Sequence, residues 1–347
     1  MQLSSTEQIQ REILKEAQLY KKLRDKRVQC LACSRYCIIE NNSLGFCRVR
    51  KNIDGKLYSL VYGRPVAIAI DPIEKKPLYH FKPATSCTSI STLGCNFACL
   101  HCQNWNISQE FTEQQIFELP YKAPEEIISF TVENNLPGIS YTYTEPTIFF
   151  EYALDIMRIA KKKKLYNVWV SNGYMSKELR SLIAKDLDAI NIDIKGSDKF
   201  YKEVCGNASL KPVLENIEFF YRKGIFVELT YLVVPHYNDK AKDIKQAVEF
   251  IASIDKEIPL HITRFFPHYK LNYIEPTPIT ALNKAKEIAK NAGLKYVYLG
   301  NIAAEQDTYC ANCNALLIER NLFEVKFVNL NKNGKCKKCG YKLNAVL

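Results

Sequence analysis

Residues 87–102 read CTSISTLGCNFACLHC. An apolar, β-branched run over 87–94 leads straight into three cysteines, Cys95, Cys99 and Cys102, separated by three residues and then two. The run predicts a strand and the cysteines predict a loop at its carboxyl end. Thiolates are soft ligands for zinc or for iron–sulfur clusters. Four-cysteine clusters use one thiolate per corner. Nothing nearby supplies an obvious fourth, so a cubic cluster held here keeps one iron open to an outside ligand. A zinc knuckle with His101 as fourth ligand is the competing reading. Adjacent His101 and Cys102 suit one tetrahedral ion poorly.

The same order continues downstream. Predicted strands CTSISTLG, GISYTYT, YNVWVSNG, AINIDIKG, IFVELTYLVV, LHITRFF and KYVYLGN alternate with amphipathic stretches of helical length such as APEEIISFTVENN and KAKDIKQAVEFIASID. Such alternation predicts a parallel sheet with right-handed crossovers. Six or seven units favour a closed or partly closed barrel, where ligands gather at the carboxyl ends of the strands.

The chain has 347 residues, 47% of them hydrophobic, enough for a substantial core. No run of about 18 uncharged apolar residues marks a membrane span. The amino-terminal segment 1–29 is charged, helical in pattern and unlike a signal peptide, so a helix and a cytoplasmic location are expected. Thirteen cysteines then argue for metal ligation over disulfides. Cys87 and Cys205 stand alone and read as small core residues. The net charge of +11 suits nucleic acid or an acidic protein partner. Residues 310–347 hold seven Lys/Arg against two Glu. The run Lys161–Lys164 reads as the solvated end of a helix.

Two further cysteine sets flank the barrel. Cys310, Cys313, Cys336 and Cys339 form two C-x-x-C knuckles separated by 22 residues that read as a hairpin. That pattern predicts a zinc ribbon with a structural Zn²⁺, an auxiliary cluster being the alternative. Cys30, Cys33, Cys37 and Cys47 form a looser set that suits zinc or a second cluster, and structural zinc is the expectation. The expected domains are 1–60 (helix and four-cysteine module), 61–305 (barrel) and 306–347 (zinc-ribbon-like module).

The three-cysteine segment resembles the hallmark of the radical S-adenosylmethionine (radical SAM) superfamily, with His101 at the family's aromatic position. The resemblance implies a partial (β/α)6 TIM-type barrel, a [4Fe-4S] cluster on Cys95, Cys99 and Cys102, and S-adenosylmethionine (SAM) chelating the open iron. Reduction then cleaves SAM to methionine and a 5′-deoxyadenosyl radical, which abstracts hydrogen from a substrate. SAM contacts are expected at strand ends. Glu145, in SYTYTEPT, matches an acidic motif whose glycines are replaced here by Tyr143 and Thr144; it also reads as a helix N-cap. Ser171 and Asn172, in SNGY, lie at the family's ribose turn, where a plain Asn-Gly turn is the alternative. Asp193 and Lys195 alternate with apolar residues, so both face one side. They resemble the Asp-x-Lys of glycyl-radical-enzyme activases, with a structural salt bridge as the alternative. Arg264 and His268, in TRFFPHYKL, are placed to reach SAM or substrate. His236 and Tyr237 stand where the family's fifth-strand loop commonly has a glycine.

Taken together, RVRKNIDGKLYSLVYGRPVAIAIDPIEKKPLYHF, LGCNFACLHCQNWNISQ, SYTYTEPTIFFEY and CANCNALLIER resemble the radical SAM protein of the AmmeMemoRadiSam system, close to pyruvate formate-lyase activating enzymes. The resemblance implies an oxidoreductase of activase type, a flavodoxin- or ferredoxin-like electron donor, and Memo-type and Ammecr-type partners. The backbone glycine of a partner protein is one candidate substrate. The alternative function is nucleic-acid binding or RNA modification through the basic cysteine modules, although no aromatic-and-basic recognition motif is evident.

Overall fold

The computed structural model describes residues 14–303, 306–321 and 323–347. Seven parallel strands lie side by side in chain order: Ser86–Ser91, Gly138–Tyr141, Tyr166–Ser171, Ala189–Asp193, Phe226–Val233, Leu260–Arg264 and Val297–Gly300. An eighth, Ala67–Pro72, runs antiparallel along the free edge of the first. The two outer strands of this sheet do not pair with each other, so the barrel is open. The expected partial (β/α)6 architecture is therefore observed, with a seventh parallel strand and an antiparallel edge strand added.

The strands are buried almost throughout, as parallel strands covered on both faces must be. Helices Pro124–Glu133, Phe150–Lys162, Lys177–Ile183, Lys211–Arg222, Ala241–Ile254 and Ile279–Asn291 make the crossovers. The helix Phe150–Lys162 ends in exposed lysines, as its sequence suggests. Short helices Glu113–Glu118 and Asp198–Val204 were not evident from periodicity. The first carries a capping box between Thr112 and Gln115, a signal that was legible.

The amino-terminal expectation needs correction. Residues 1–13 lie outside the described residues. Over the rest of 1–29 there is no helix; Lys15–Glu16, Tyr20–Lys22 and Val28–Cys30 are strands. Lys15 pairs with Ser59 and Tyr20 with Cys30, so long-range pairing overrides the local helical pattern. The Asp54-Gly55 turn is observed between strands Arg50–Ile53 and Lys56–Ser59, with both residues at positive φ, the geometry of a tight type I′ hairpin. This module is fastened to the barrel by a buried ion pair. Both terminal guanidinium nitrogens of Arg50 reach Glu151, at 2.9 and 2.6 Å.

The carboxyl-terminal module packs on the barrel through a directed hydrogen-bond chain. Arg320 donates to Thr308 Oγ1 (2.7 Å), which neighbours Tyr298 Oη (2.7 Å), which lies 2.6 Å from His80 Nε2. His80 Nδ1 meets the Asn344 carbonyl at 2.8 Å. A carbonyl only accepts, so Nδ1 carries the proton and Nε2 accepts from Tyr298. Burial holds His80 neutral, pushing its pKa down to about 4 despite the nearby Glu228 carboxylate.

Between pH 6.5 and 4 the unfolded chain therefore binds a proton at His80 that the folded chain refuses, so stability falls on acidification. At pH 5 this site should have cost about 2 kcal/mol relative to pH 7. Urea unfolding at the two pH values measures it; in His80→Gln the pH-dependent loss should shrink by about that amount.

Candidate active site

The loop after the first parallel strand projects Cys95, Cys99 and Cys102 into one cavity of about 340 Å³ at the carboxyl ends of the strands. Glu145, Ser171, Asn172, Asp193 and Lys195 line the same cavity, from the ends of strands two, three and four. These are the positions the sequence singled out, brought together from a span of 101 residues, 95 to 195.

Glu145 is the hub. Its Oε1 accepts from Thr147 N–H (3.1 Å), Thr147 Oγ1 (2.5 Å) and Ser171 Oγ (2.8 Å), while Oε2 accepts the Asn172 N–H (2.7 Å). The N-cap reading is thus observed, over the short helical turn Pro146–Phe149. The same carboxylate also clasps the third strand to the second. Burial raises its pKa, opposed by these donors. Asn172 continues the chain, donating through Nδ2 to Asn96 Oδ1 at 2.7 Å.

Asp193 and Lys195 form an ion pair at 3.0 Å on the cavity wall. The salt bridge and the cavity-facing reading therefore hold together. Burial alone would lower the Lys195 pKa, but Asp193 and the Cys99 sulfur outweigh it, and the ammonium stays charged. His101 is buried against Phe200, its ring centroid 5.8 Å away. Burial and the Lys195 charge push its pKa down to about 3, so it is neutral.

The thiols differ. Burial raises Cys95 and Cys102. Cys99 is lowered by a hydrogen bond from Cys205, against its own burial. Cys205 is thus a neighbour of the loop, delivered by the helix Asp198–Val204, whose Val204 carbonyl accepts the Leu100 N–H at 3.0 Å. A lone cysteine 103 residues beyond Cys102 carries no sequence signal of that contact.

The donor set fits an iron–sulfur cluster. Three thiols of one short loop share one cavity, yet they are not gathered within 4.8 Å of one another as a single small ion requires. Cys310, Cys313, Cys336 and Cys339 are so gathered. Their sulfurs approach to 3.6 Å (Cys310–Cys339) and 3.7 Å (Cys313–Cys336). A tetrahedral ion with Zn–S near 2.3 Å requires sulfurs about 3.8 Å apart. The strands Leu316–Asn321 and Glu324–Phe327 between the knuckles form the expected antiparallel hairpin.

His268 is the exception. It is exposed and absent from the cavity wall. The short turn Tyr269–Leu271 that follows docks by its backbone instead: the Lys270 and Leu271 N–H groups donate to the Leu100 carbonyl at 2.9 and 3.1 Å. Arg264 turns away to the Thr277 carbonyl (2.8 Å). Phe265 and Phe266 take their place on the wall. Thr142, Thr230, Thr263, Asn104 and Asn301 also line the cavity and were missed. Thr142, Thr230, Thr263 and Asn301 share the signal of a polar residue in the carboxyl-terminal part of a parallel strand or just beyond it, whereas Asn104 lies past the cysteine loop, before the short helix Trp105–Ser108.

Residues 89–251 match the family model of the Radical SAM superfamily. The chain is 48% identical over 340 residues to an uncharacterized protein of Methanocaldococcus jannaschii, covering 96% of this chain and 100% of that one. It is 22% identical over 232 residues to the pyruvate formate-lyase 1-activating enzyme of Escherichia coli, covering 59% of this chain and 89% of that one. A solved domain of pyruvate-formate lyase-activating enzyme from Bacteroides vulgatus superimposes with a TM-score of 0.41 at 16% identity, covering 47% of this chain and 99% of that chain. The chain belongs to the radical SAM superfamily and is an enzyme of that class. Membership implies a [4Fe-4S] cluster, SAM and SAM-dependent radical chemistry. No helix among the described residues is long and apolar enough to cross a membrane.

Removing the Glu145 carboxylate strands the Asn172 N–H and the Thr147 and Ser171 donors. Glu145→Ala should destabilise the fold by about 3 kcal/mol. Chemical unfolding compares it with Glu145→Gln, which keeps part of the acceptor set and should lose less.

Proposed function

We propose that this protein is an activase-like radical SAM enzyme of the AmmeMemoRadiSam branch that takes a hydrogen atom from a partner protein. The observation that carries the reading is the three-thiol loop facing the Asp193–Lys195 ion pair across one cavity. When bound, the [4Fe-4S] cluster and SAM supply reductive cleavage to a 5′-deoxyadenosyl radical.

Cys95, Cys99 and Cys102 hold the cluster. Asp193 and Lys195 present a fixed pair of opposite charges, suited to a ligand that itself carries an ammonium, a carboxylate and a sulfonium. Ser171 and Asn172 are positioned by Glu145, so their backbone at the ribose turn is held rigidly. Glu145 therefore acts on SAM through its neighbours. Cys310, Cys313, Cys336 and Cys339 hold a structural zinc, a reading supported by their sulfur spacings. The activase relationship supports a protein substrate and a flavodoxin- or ferredoxin-type electron donor. Memo-type and Ammecr-type proteins are the proposed partners.

Anaerobically reconstituted protein, reduced with dithionite, should convert SAM to methionine and 5′-deoxyadenosine. Cys99→Ala should abolish this conversion. Cys205→Ala should retain cluster iron and SAM cleavage, because only three protein ligands are required. Loss of iron in Cys205→Ala would mean a fourth protein thiolate and would overturn the open-iron reading. Deuterium appearing in 5′-deoxyadenosine from a labelled candidate protein identifies the substrate.

A further inference from the structure

Four cysteines outside the catalytic loop converge on a second cavity. Cys30 closes the strand Val28–Cys30, Cys33 bridges to Met175, Cys37 precedes the strand Ile38–Ile39, and Cys47 lies before Arg50–Ile53. All four line one largely apolar cavity with Arg50 and Asn96.

Two features of this cavity point to its occupant. The first is spacing. Among the described residues, the carboxyl-terminal knuckles are the one set of three or more ligand atoms gathered within 4.8 Å. The amino-terminal thiols share a cavity without gathering so, as do the three thiols of the catalytic loop. A zinc ion at bonding distance from four sulfurs draws them to about 3.8 Å from one another. A cube of iron and sulfide holds its thiolates at separate corners, much farther apart.

The second feature is a pair of buried donors with nothing to donate to. Arg50 Nε and Asn96 Nδ2 have no hydrogen-bond partner, although both residues are almost fully buried, at 2% and 0% exposure. The Asn96 amide is oriented by Asn172, whose Nδ2 requires Asn96 Oδ1 as acceptor. Unmet buried donors cost free energy unless an acceptor arrives. Cluster sulfides and thiolates are such acceptors, and hydrogen bonds to them are an ordinary part of a cluster site.

We propose that Cys30, Cys33, Cys37 and Cys47 hold a second [4Fe-4S] cluster, with Arg50 and Asn96 donating to its sulfur atoms, in place of the zinc expected from the sequence. Unlike the catalytic site, it has four cysteine ligands and no corner left for SAM. The site lies against the catalytic loop, since Asn96 directly follows Cys95. Arg35 of the same module reinforces the contact, donating to the Asn96 carbonyl at 2.5 Å and to the Gly206 carbonyl at 2.7 Å.

The test uses the full chain carrying Cys95→Ala, Cys99→Ala and Cys102→Ala, reconstituted without oxygen from iron and sulfide. This variant should retain about four iron and four acid-labile sulfide atoms, and give a cluster EPR signal on reduction with dithionite. Adding Cys33→Ser and Cys37→Ser should remove both. A triple variant that folds, binds no iron and carries a second zinc overturns the proposal. Should the triple variant precipitate, iron analysis and Mössbauer spectroscopy of the unsubstituted protein decide: about eight iron atoms per chain support the second cluster, and about four overturn it. Because the triple variant lacks the catalytic thiols, its iron content is independent of whether the proposed SAM reaction is correct.

Discussion

Asn96 is the point on which the site is hung. It sits between Cys95 and Cys99, and it is held from two sides. Asn172 donates to its side-chain oxygen, and Arg35 donates to its carbonyl. Behind Asn172 stands Glu145, which accepts the Asn172 N–H and so fixes the third strand end against the second. An unfastened loop would otherwise sample many conformations, and each thiol would lose entropy on being ordered around a metal group. Here the ordering is done in advance by hydrogen bonds to groups buried in the barrel and in the amino-terminal module. That preorganisation is the reason the module and the barrel cannot be considered separately.

Two strand-end loops, one on the cavity wall and one after the fifth parallel strand, hold backbone that side chains rarely adopt. Tyr143 and His236 both have left-handed φ, at 63° and 67°. These are two positions where a glycine would be at ease, and each carries a cost of order 1–2 kcal/mol with a side chain present. At Tyr143 the side chain offsets that cost. Its hydroxyl donates to Asp71, and its carbonyl accepts from Asn104 at 2.7 Å. Asp71 in turn holds Lys75 at 2.8 Å and the buried Lys76 at 2.5 Å. Burial would raise the Asp71 carboxyl, but these three partners hold it well below the usual range. A tyrosine in a glycine position thereby links the edge strand Ala67–Pro72 to the cavity rim.

The legibility of the chain follows from which contacts are local. The seven parallel strands and their crossovers were readable because each is set by its own hydrophobic pattern, and strand order follows chain order. Glu145, Ser171, Asn172, Asp193 and Lys195 were readable because a strand end at a barrel mouth is a position, and position follows from the strand. His268 shares that position but not that direction. The backbone reverses at Tyr269, which has a φ of 52°, and the turn faces the loop by its N–H groups. No periodicity reports that reversal. Cys205 and the strands of 14–29 were hidden for another reason. Their surroundings are made by partners far along the chain, such as Ser59 for Lys15 and Cys99 for Cys205.

The three thiol sets extend this distinction from fold to metal chemistry. All three are built from the same donor atom, so donor type alone does not separate zinc from an iron–sulfur cluster. Backbone geometry does. In the carboxyl-terminal module each C-x-x-C turn aims two sulfurs to one side, and the hairpin brings the turns together at 3.6 and 3.7 Å across the pairs. The catalytic loop has one extra residue in its first gap, and its sulfurs spread along a cavity wall. The amino-terminal set draws its four thiols from separate strands and turns, and they line one cavity without gathering within 4.8 Å of one another. Counting cysteines yields two sets of four and one of three, yet it is the separation imposed by the chain that decides whether one ion or a cube can be grasped.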